Sequence, residues 1–435
     1  MIVLSLLILS IVFWLNNKKA ISVTLLWAFT CNGFNLKGIT PSPINIYNLL
    51  FLVLNIVLIS DISKKGFKSL LHTDKMLKYI LMFYIFLIIH CIMTILLNIE
   101  IFKYATSVLR QTIAPFLLFL LIRKLDINII QKIFKYILFI MGILCFIYLL
   151  QSFGIYLYQT REGLLDGEST RVGNLGGVEF CLILSLFVFK NKLKSVLYLI
   201  PLIYGAMRGP IVSLLCGILY SLRHKIVKIR YFIIALIVGL LLYSVYTNLI
   251  SDRFNRYDVS FTEEVISGIS IKKIMDFSSY EGSNRDVFTW QENGTFVFRI
   301  SMLAERIIYL FQNPEKILFG AGMIDEASPK NDFHFKLGTP NENYKYQYCQ
   351  IESNDILWTS YLLRYGIIGI LFWIVLFHVC FKQFNNRQDQ VNLVGLSYTL
   401  FLIINSFGSD SPRRIPVILM LFLIYTYSKK VSYDS

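Results

Sequence analysis

Residues 204–222 read YGAMRGPIVSLLCGILYSL, and the topology of the whole chain turns on them. Arg208 stands between two apolar runs, 195–207 and 210–222, with Gly209 and Pro210 beside it. Either the stretch is the middle of one long helix, or it is the seam between two short ones. An arginine held at the bilayer centre costs about 3 kcal/mol or more, so it is expected to be functional or to lie at a membrane face. Pro210 favours the seam, because it lacks an N–H and disfavours helix in the residue before it.

That there is a membrane follows from composition. Of 435 residues, 56% are hydrophobic and 16% charged, and mean hydropathy is +0.61. A soluble domain of this size has no room to bury so much apolar surface, and long apolar runs recur from end to end. The expected fold class is all-α: a polytopic integral membrane protein of about 12–13 transmembrane helices with one large extracytoplasmic loop. Candidate spans lie near 1–16, 21–36, 44–61, 78–98, 105–122, 135–157, 176–189, 195–207, 210–222, 231–250, 356–380, 391–407 and 415–428. The opening MIVLSLLILSIVFWLNNKKA lacks a basic n-region and a small-residue cleavage site, and is expected to be a retained first span.

A net charge of +15 would suggest nucleic acid in a soluble protein. Here it reads as topology-setting charge in cytoplasmic loops, and no nucleic-acid partner is expected. Six cysteines (Cys31, Cys91, Cys145, Cys181, Cys216, Cys380) lie in or beside apolar runs, and only Cys349 is in a long polar segment. Neither a disulfide framework nor a metal cluster is expected. GxGxxG opening a helix, GxxxxGK[ST], HExxH and CxxC are all missing, which gives a nucleotide-driven pump or a zinc protease little support.

Alternate loops differ sharply in Lys and Arg. One set, which includes Lys18, Lys19, Lys64, Lys65, Arg123, Lys124, Arg223 and Lys429, carries 22. The short loops of the other carry seven: Lys37, Lys103, Arg161, Arg171, Arg208, Arg413 and Arg414. The first set is therefore expected to be cytoplasmic, with the N-terminus outside and the C-terminus inside. One long helix through Arg208 would place RHKIVKIR, 223–230, outside and invert every later loop. Two short helices keep the alternation and put Arg208 at the outer face.

On this topology the chain divides into an N-terminal bundle of about ten spans (1–250), an outer loop, partly helical (251–355), and C-terminal spans (356–435). Within the loop, FRISMLAERIIYLFQNP suits an amphipathic helix with Phe298, Met302, Ile308 and Phe311 on one face, ended by Pro314. LFGAGM then reads as a glycine turn.

The arginines outside the cytoplasmic set gather at one face: Arg171, Arg208, Arg299, Arg413 and Arg414. Each alone suits an interfacial anchor to headgroups or a carboxylate. Together they suit a pyrophosphate-linked lipid, since guanidinium binds phosphate oxygens bidentately and keeps its charge. A helix beginning at Gly209 would add N-terminal N–H groups. Acid and base candidates are Glu352 and Asp355, with His334, Asp332 and Glu326 in the loop. The plain alternatives are helix capping by Asp355 and a surface role for His334. Tyr280, Phe288, Trp290, Tyr344, Tyr346, Tyr348 and Trp358 suit stacking on sugar rings, or equally the loop's own core.

Four stretches resemble the bacterial O-antigen and capsular polysaccharide polymerases (Wzy type) and the related O-antigen ligases. AMRGPIVSLLCGILYSL is similar to their SRG motif and the span after it, and STRVGNLGGVEFCLILSLF to an Arg-Gly stretch leading into an earlier span. FRISMLAERIIYLFQNPEKILFGAGM resembles their loop helix and glycine turn, and ESNDILWTSYLLRYGIIGILFWI their re-entry segment with Gly366 and Gly369. The resemblance runs from about 165 to 375. It implies a metal-independent glycosyltransferase without cofactors that acts on undecaprenyl-pyrophosphate-linked glycans in the bacterial cytoplasmic membrane. A flippase and a chain-length regulator of the same pathway would be partners. Arg208 would be catalytic, holding the donor pyrophosphate. Glu352 would be the base and Asp355 its companion, with Arg171, Arg299, Gly209, His334, Arg413 and Arg414 binding pyrophosphate or glycan. Met207 stands where the motif has serine, and Ser353-Asn354 where the ligases have His-Asn, which favours a polymerase over a ligase. A lipid-linked glycan flippase is the rival of another class. Its usual paired repeats and mid-membrane charges are not evident here.

Overall fold

The computed structural model describes residues 2–31, 46–152, 175–190, 192–204, 208–223, 295–330, 335, 337–340, 348–351, 356–386 and 389–434. They form a helical, multi-pass membrane protein. Of the thirteen expected spans, twelve fall on helices, and the span at 231–250 lies outside the described residues.

In chain order the described helices are α1 (Ile2–Leu15), α2 (Lys19–Thr30), α3 (Ile46–Lys65), α4 (Phe67–Thr73), α5 (Lys75–Leu96), α6 (Phe102–Leu117), α7 (Phe119–Ile122) and α8 (Ile127–Ser152). There follow α9 (Val178–Leu184, continued by a π turn), α10 (Lys192–Tyr204), α11 (Arg208–Ser221), α12 (Thr295–Gln312), α13 (Leu357–Asn385), α14 (Gln390–Asn405) and α15 (Ile415–Asp434). A two-residue antiparallel pairing, Thr339–Pro340 with Tyr348–Cys349, joins two parts of the segment between α12 and α13. Among the described residues six helical segments, α6 and α7 together counting as one, are long and apolar enough to cross a bilayer, and α2, the α9 run, α11 and α14 are shorter apolar helices.

Local chemistry sets several of these boundaries. The Asp74 carboxylate accepts from the backbone N–H of Met76 (2.8 Å) and of Leu77 (3.4 Å), starting α5, and Asp389 does the same for α14 through Asn392 N–H (2.8 Å). Pro115 lies in the last turn of α6, just before the break that separates it from α7. Within 195–222 the described residues form two helices, α10 ending at Tyr204 and α11 beginning at Arg208, with 205–207 outside the described residues. α11 starts at Arg208 with Pro210 in its first turn, a place that tolerates a missing N–H.

The bundle has a buried centre and a lipid-facing ring. In α15, 72% of the spanning window is buried inside the protein, against 22% in α3. Leu52, Ile56 and Ile59 on α3, and Phe139, Ile143 and Phe146 on α8, are exposed at helical spacing, as a membrane surface requires. Small residues let the inner helices touch. A Cβ on Gly217 of α11 would sit 2.5 Å from the Ser397 carbonyl oxygen of α14, and the Ser397 hydroxyl donates to that of Ser221 (2.8 Å).

Hydrogen bonds sort the helix ends into two sets. At one, Arg123 and Lys124 hold Asp61 (2.8 and 2.7 Å), Lys429 holds Asp74, and Arg223 donates to Asn385 (2.8 Å). These basic residues are the ones the alternating count grouped together. At the other end, the 97–101 turn meets the loop after α12: buried Glu100 accepts from Asp325 N–H (3.2 Å) and from the Ser328 hydroxyl.

That loop also enters a break in α13. Gly366 has φ +58°, so the helix is interrupted after Tyr365. Ile367 N–H turns to Ile317 O (3.0 Å) and Ile368 N–H to Leu318 O (3.4 Å). The carbonyls this leaves over, those of Leu363 and Arg364, accept from Ala321 N–H (2.7 Å) and from His90 Nε2 (3.0 Å). These four groups at the break thus find partners, as buried backbone at membrane depth demands. LFGAGM is a glycine turn as expected (Gly320 φ +78°, Gly322 φ +105°), and it does more: 317–321 is a strap laid into the broken helix.

α12 corrects one expectation. Phe298 and Met302 are buried with Leu337, but Phe311 is exposed. The buried stripe runs Phe298, Met302, Arg306, Leu310, because the helix packs around a buried guanidinium rather than along an all-apolar face. Arg306 donates to Leu337 O and Gln350 O (both 2.6 Å), pairs with Glu305 (2.6 Å) and lies 4.2 Å from the centre of the Phe335 ring. Burial pushes its pKa down to about 10, partly offset by the carboxylates of Glu305 and Glu326, so it remains charged at neutral pH.

Candidate functional site

The end of α14 and the turn to α15, Asn405 to Arg414, is where four of the candidate residues, Gly209, Arg299, Arg413 and Arg414, lie near one another. α14 ends at Asn405, and Ser406 O accepts from Leu357 N–H (3.3 Å), tying the turn to the start of α13. A three-residue 3₁₀ turn, Ser411–Arg413, with Pro412 inside it, then leads into α15.

Three of the expected anion-binding arginines stand around this turn. Asp410, almost fully buried, takes Arg413 (2.9 Å) on one oxygen and Arg414 (2.8 Å) on the other. Arg299, in the second turn of α12, brings its Nη1 to 3.6 Å from the point where a Cβ on Gly408 would be. Among the described residues, three guanidiniums and the Asp410 carboxylate thus stand at this corner. Gly209, exposed in the first turn of α11, faces the same turn: a Cβ there would lie 4.0 Å from Asn405 Oδ1. Arg208 is the first residue of that helix, and the position of its side chain is outside the described residues. Arg171, Glu352, Asp355, His334 and Asp332 also lie outside them.

A narrow cleft opens beside the corner, lined by Gly177, Glu179, Phe401, Ser411, Arg414 and Pro416, with about 20 Å³ of free space, room for one water. Gly177 has φ +95°, and a Cβ there would come within 3.3 Å of the Trp27 indole nitrogen, so Gly176 and Gly177 close tightly on α2 and α15.

Sequence reasoning missed Asp410, Asn405 and Glu179. Asp410 lies between quoted residues, in SDSPRR, and its spacing from Arg413 and Arg414 was a usable signal. Glu179, a buried carboxylate in the first turn of α9, was inside a quoted motif but unassigned. Glu326, one of the loop carboxylates considered, accepts from Ile351 N–H and so holds the loop's own fold. Among the described residues no group of three His, Cys, Asp or Glu is arranged to hold a metal ion.

The arrangement can bind an anion at the end of a helical membrane bundle: three guanidiniums and the starts of α11 and α15 converge on one turn. This defines a class, a multi-pass helical membrane protein with a cationic corner at the end that carries its loop. No protein-family model matches the chain, nor does any curated protein or solved structure.

Proposed function

We propose that the protein is a membrane glycosyltransferase that polymerises undecaprenyl-pyrophosphate-linked oligosaccharide repeat units at the outer face of the bacterial cytoplasmic membrane. The observation that carries this reading is the gathering of Arg299, Arg413, Arg414 and the N-terminal turn of α11 around the Asn405–Arg414 turn. Such a set suits a departing pyrophosphate, whose negative charge grows as the glycosidic C–O bond breaks.

In the proposed topology there are about twelve to thirteen spans, the N-terminus is outside and the 251–355 segment is the outer loop. Arg208 holds the donor pyrophosphate with Arg171, Arg299, Arg413 and Arg414, aided by the Gly209 N–H. Glu352 takes the proton of the acceptor hydroxyl, with Asp355 and His334 beside the glycan. The chemistry needs neither metal nor cofactor. The resemblance of four ordered motifs to the Wzy-type polymerases supports the reaction class.

The test is surface-polysaccharide profiling of cells carrying Arg208→Ala or Arg299→Ala, each confirmed at wild-type membrane levels, beside a deletion strain. Loss of long chains with single lipid-linked repeats remaining is the expected result. Intact long chains in both variants would reduce these arginines to interfacial anchors and remove the proposed site.

A further inference from the structure

Among the described residues, Asn405 Oδ1, an acceptor, and Trp358 Nε1, a donor, are buried polar atoms at the cationic corner with no hydrogen-bond partner. Both flank the same turn. Asn405 closes α14, and its amide nitrogen donates to the Ser411 hydroxyl (2.8 Å), which directs Oδ1 toward the first turn of α11 beside exposed Gly209. Trp358 opens α13, its ring 5.6 Å from that of Phe407, two residues beyond Asn405, and Phe407 is itself exposed. A buried acceptor or donor left unsatisfied costs about 1–3 kcal/mol each, so two at one turn call for a ligand that supplies both partners. Lipid tails and a fully ionised phosphate match this pair poorly, because phosphate lacks a donor at its ionised oxygens and the tails have neither group, whereas water and hydroxyl-bearing ligands can serve both atoms. A sugar hydroxyl donates and accepts at once. Carbon faces of sugar rings also pack on aromatic side chains, and Phe407 and Trp358 present a tilted aromatic pair next to the arginines.

We propose that the Asn405–Ser411 turn with Trp358 is a sugar subsite. It takes the glycosyl residue directly attached to the pyrophosphate: Asn405 Oδ1 accepts from one ring hydroxyl, Trp358 Nε1 donates to a hydroxyl or ring-substituent oxygen, and Phe407 packs on the ring. Asn405 and Trp358 are then positioning residues that fix the sugar beside the cationic corner. The inference rests on the proposed glycan reading but makes a narrower claim, that these two side chains read the sugar and not the lipid or the phosphates.

The test compares two defined probes on the full-length protein in lipid nanodiscs: undecaprenyl pyrophosphate and undecaprenyl-pyrophosphoryl N-acetylglucosamine. Binding is measured for wild type, Asn405→Leu, Trp358→Phe and Ser411→Ala. The wild type is expected to bind the sugar-bearing lipid more tightly than the bare one. Asn405→Leu and Trp358→Phe should each cut that difference by about three- to tenfold, the size of one net hydrogen bond, and Trp358→Phe should leave bare-lipid binding unchanged. Ser411→Ala removes only the bond to the amide nitrogen and should retain most of the difference. If wild type binds both lipids equally, or if both variants keep the full sugar increment, the subsite is overturned while the anion site stands. If wild type binds neither lipid, the glycan reading itself fails and the subsite with it. Trp358→Phe keeps the ring, so it remains informative should Asn405→Leu fail to fold.

Discussion

Charged side chains buried at the loop end do two different jobs. Arg306 is structural: its guanidinium satisfies two backbone carbonyls and pairs with Glu305, out of reach of solvent. Replacing it with leucine leaves Leu337 O and Gln350 O without donors and should destabilise the outer segment by about 3–5 kcal/mol. The measurement is limited proteolysis of 295–351 in membranes, where the variant should be cut much faster and the rest of the chain should stay intact. The Arg306 pKa of about 10 lies below that of a free guanidinium. The unfolded chain therefore binds more protons only above about pH 10, so this group adds to stability as pH climbs past that point. Across the neutral range its contribution should be flat. Asp410 is different, because both its partners keep contact with solvent. Asp410→Asn should leave the protein folded and present at normal levels, yet release Arg413 and Arg414 from their fixed geometry. On the proposed function, polymer yield should fall about a hundredfold, the usual cost of misplacing a group that stabilises developing charge. An unchanged polysaccharide profile would place Asp410 and its arginines outside the site.

At the scale of helices, close approach decides the architecture. Gly320 has a left-handed backbone, and a Cβ there would meet the Arg364 carbonyl carbon at 2.4 Å. Gly320→Ala should pull the strap out of the break in α13 at a cost of order 2–4 kcal/mol. The melting temperature of purified protein reads this directly, and a wild-type value would contradict the interlock. The apolar spans, the start of α11 beside Pro210 and the end of α12 before Pro314 were all legible in the sequence, because each is a local pattern of hydropathy or backbone chemistry. The break in α13 was not. Gly366 looks like one more small residue in a span, and its partners are Ile317, Ala321 and His90, the last 274 residues from Arg364. Asn405 was hidden in the same way: it sits at the end of an apolar run, where nothing local signals that its amide faces Gly209. The arginine set of the candidate site was legible as charge out of place. Its carboxylate and amide were not, because their partners are set by tertiary contact.

For the molecule as a whole, the division of basic residues between two ends makes topology testable. Lys64 and Lys103 are both exposed and lie at opposite ends of the chain's alternation. On intact cells a membrane-impermeant maleimide should label Lys103→Cys and spare Lys64→Cys, and permeabilisation should expose both. Labelling of Lys64→Cys alone would invert the proposed orientation and put the cationic corner in the cytoplasm.

The strap and the broken helix also impose an order on synthesis. Residues 317–321 leave the ribosome well before α13, yet their backbone bonds are completed only by Leu363, Ile367 and Ile368. His90, which holds the neighbouring carbonyl, was made long before either. The loop therefore has to wait beside an early span, half finished, until a late one is delivered. Truncation before α13 should yield a protein whose early helices insert and whose loop remains open to quality-control proteases. Assembly of this loop is gated by the arrival of α13.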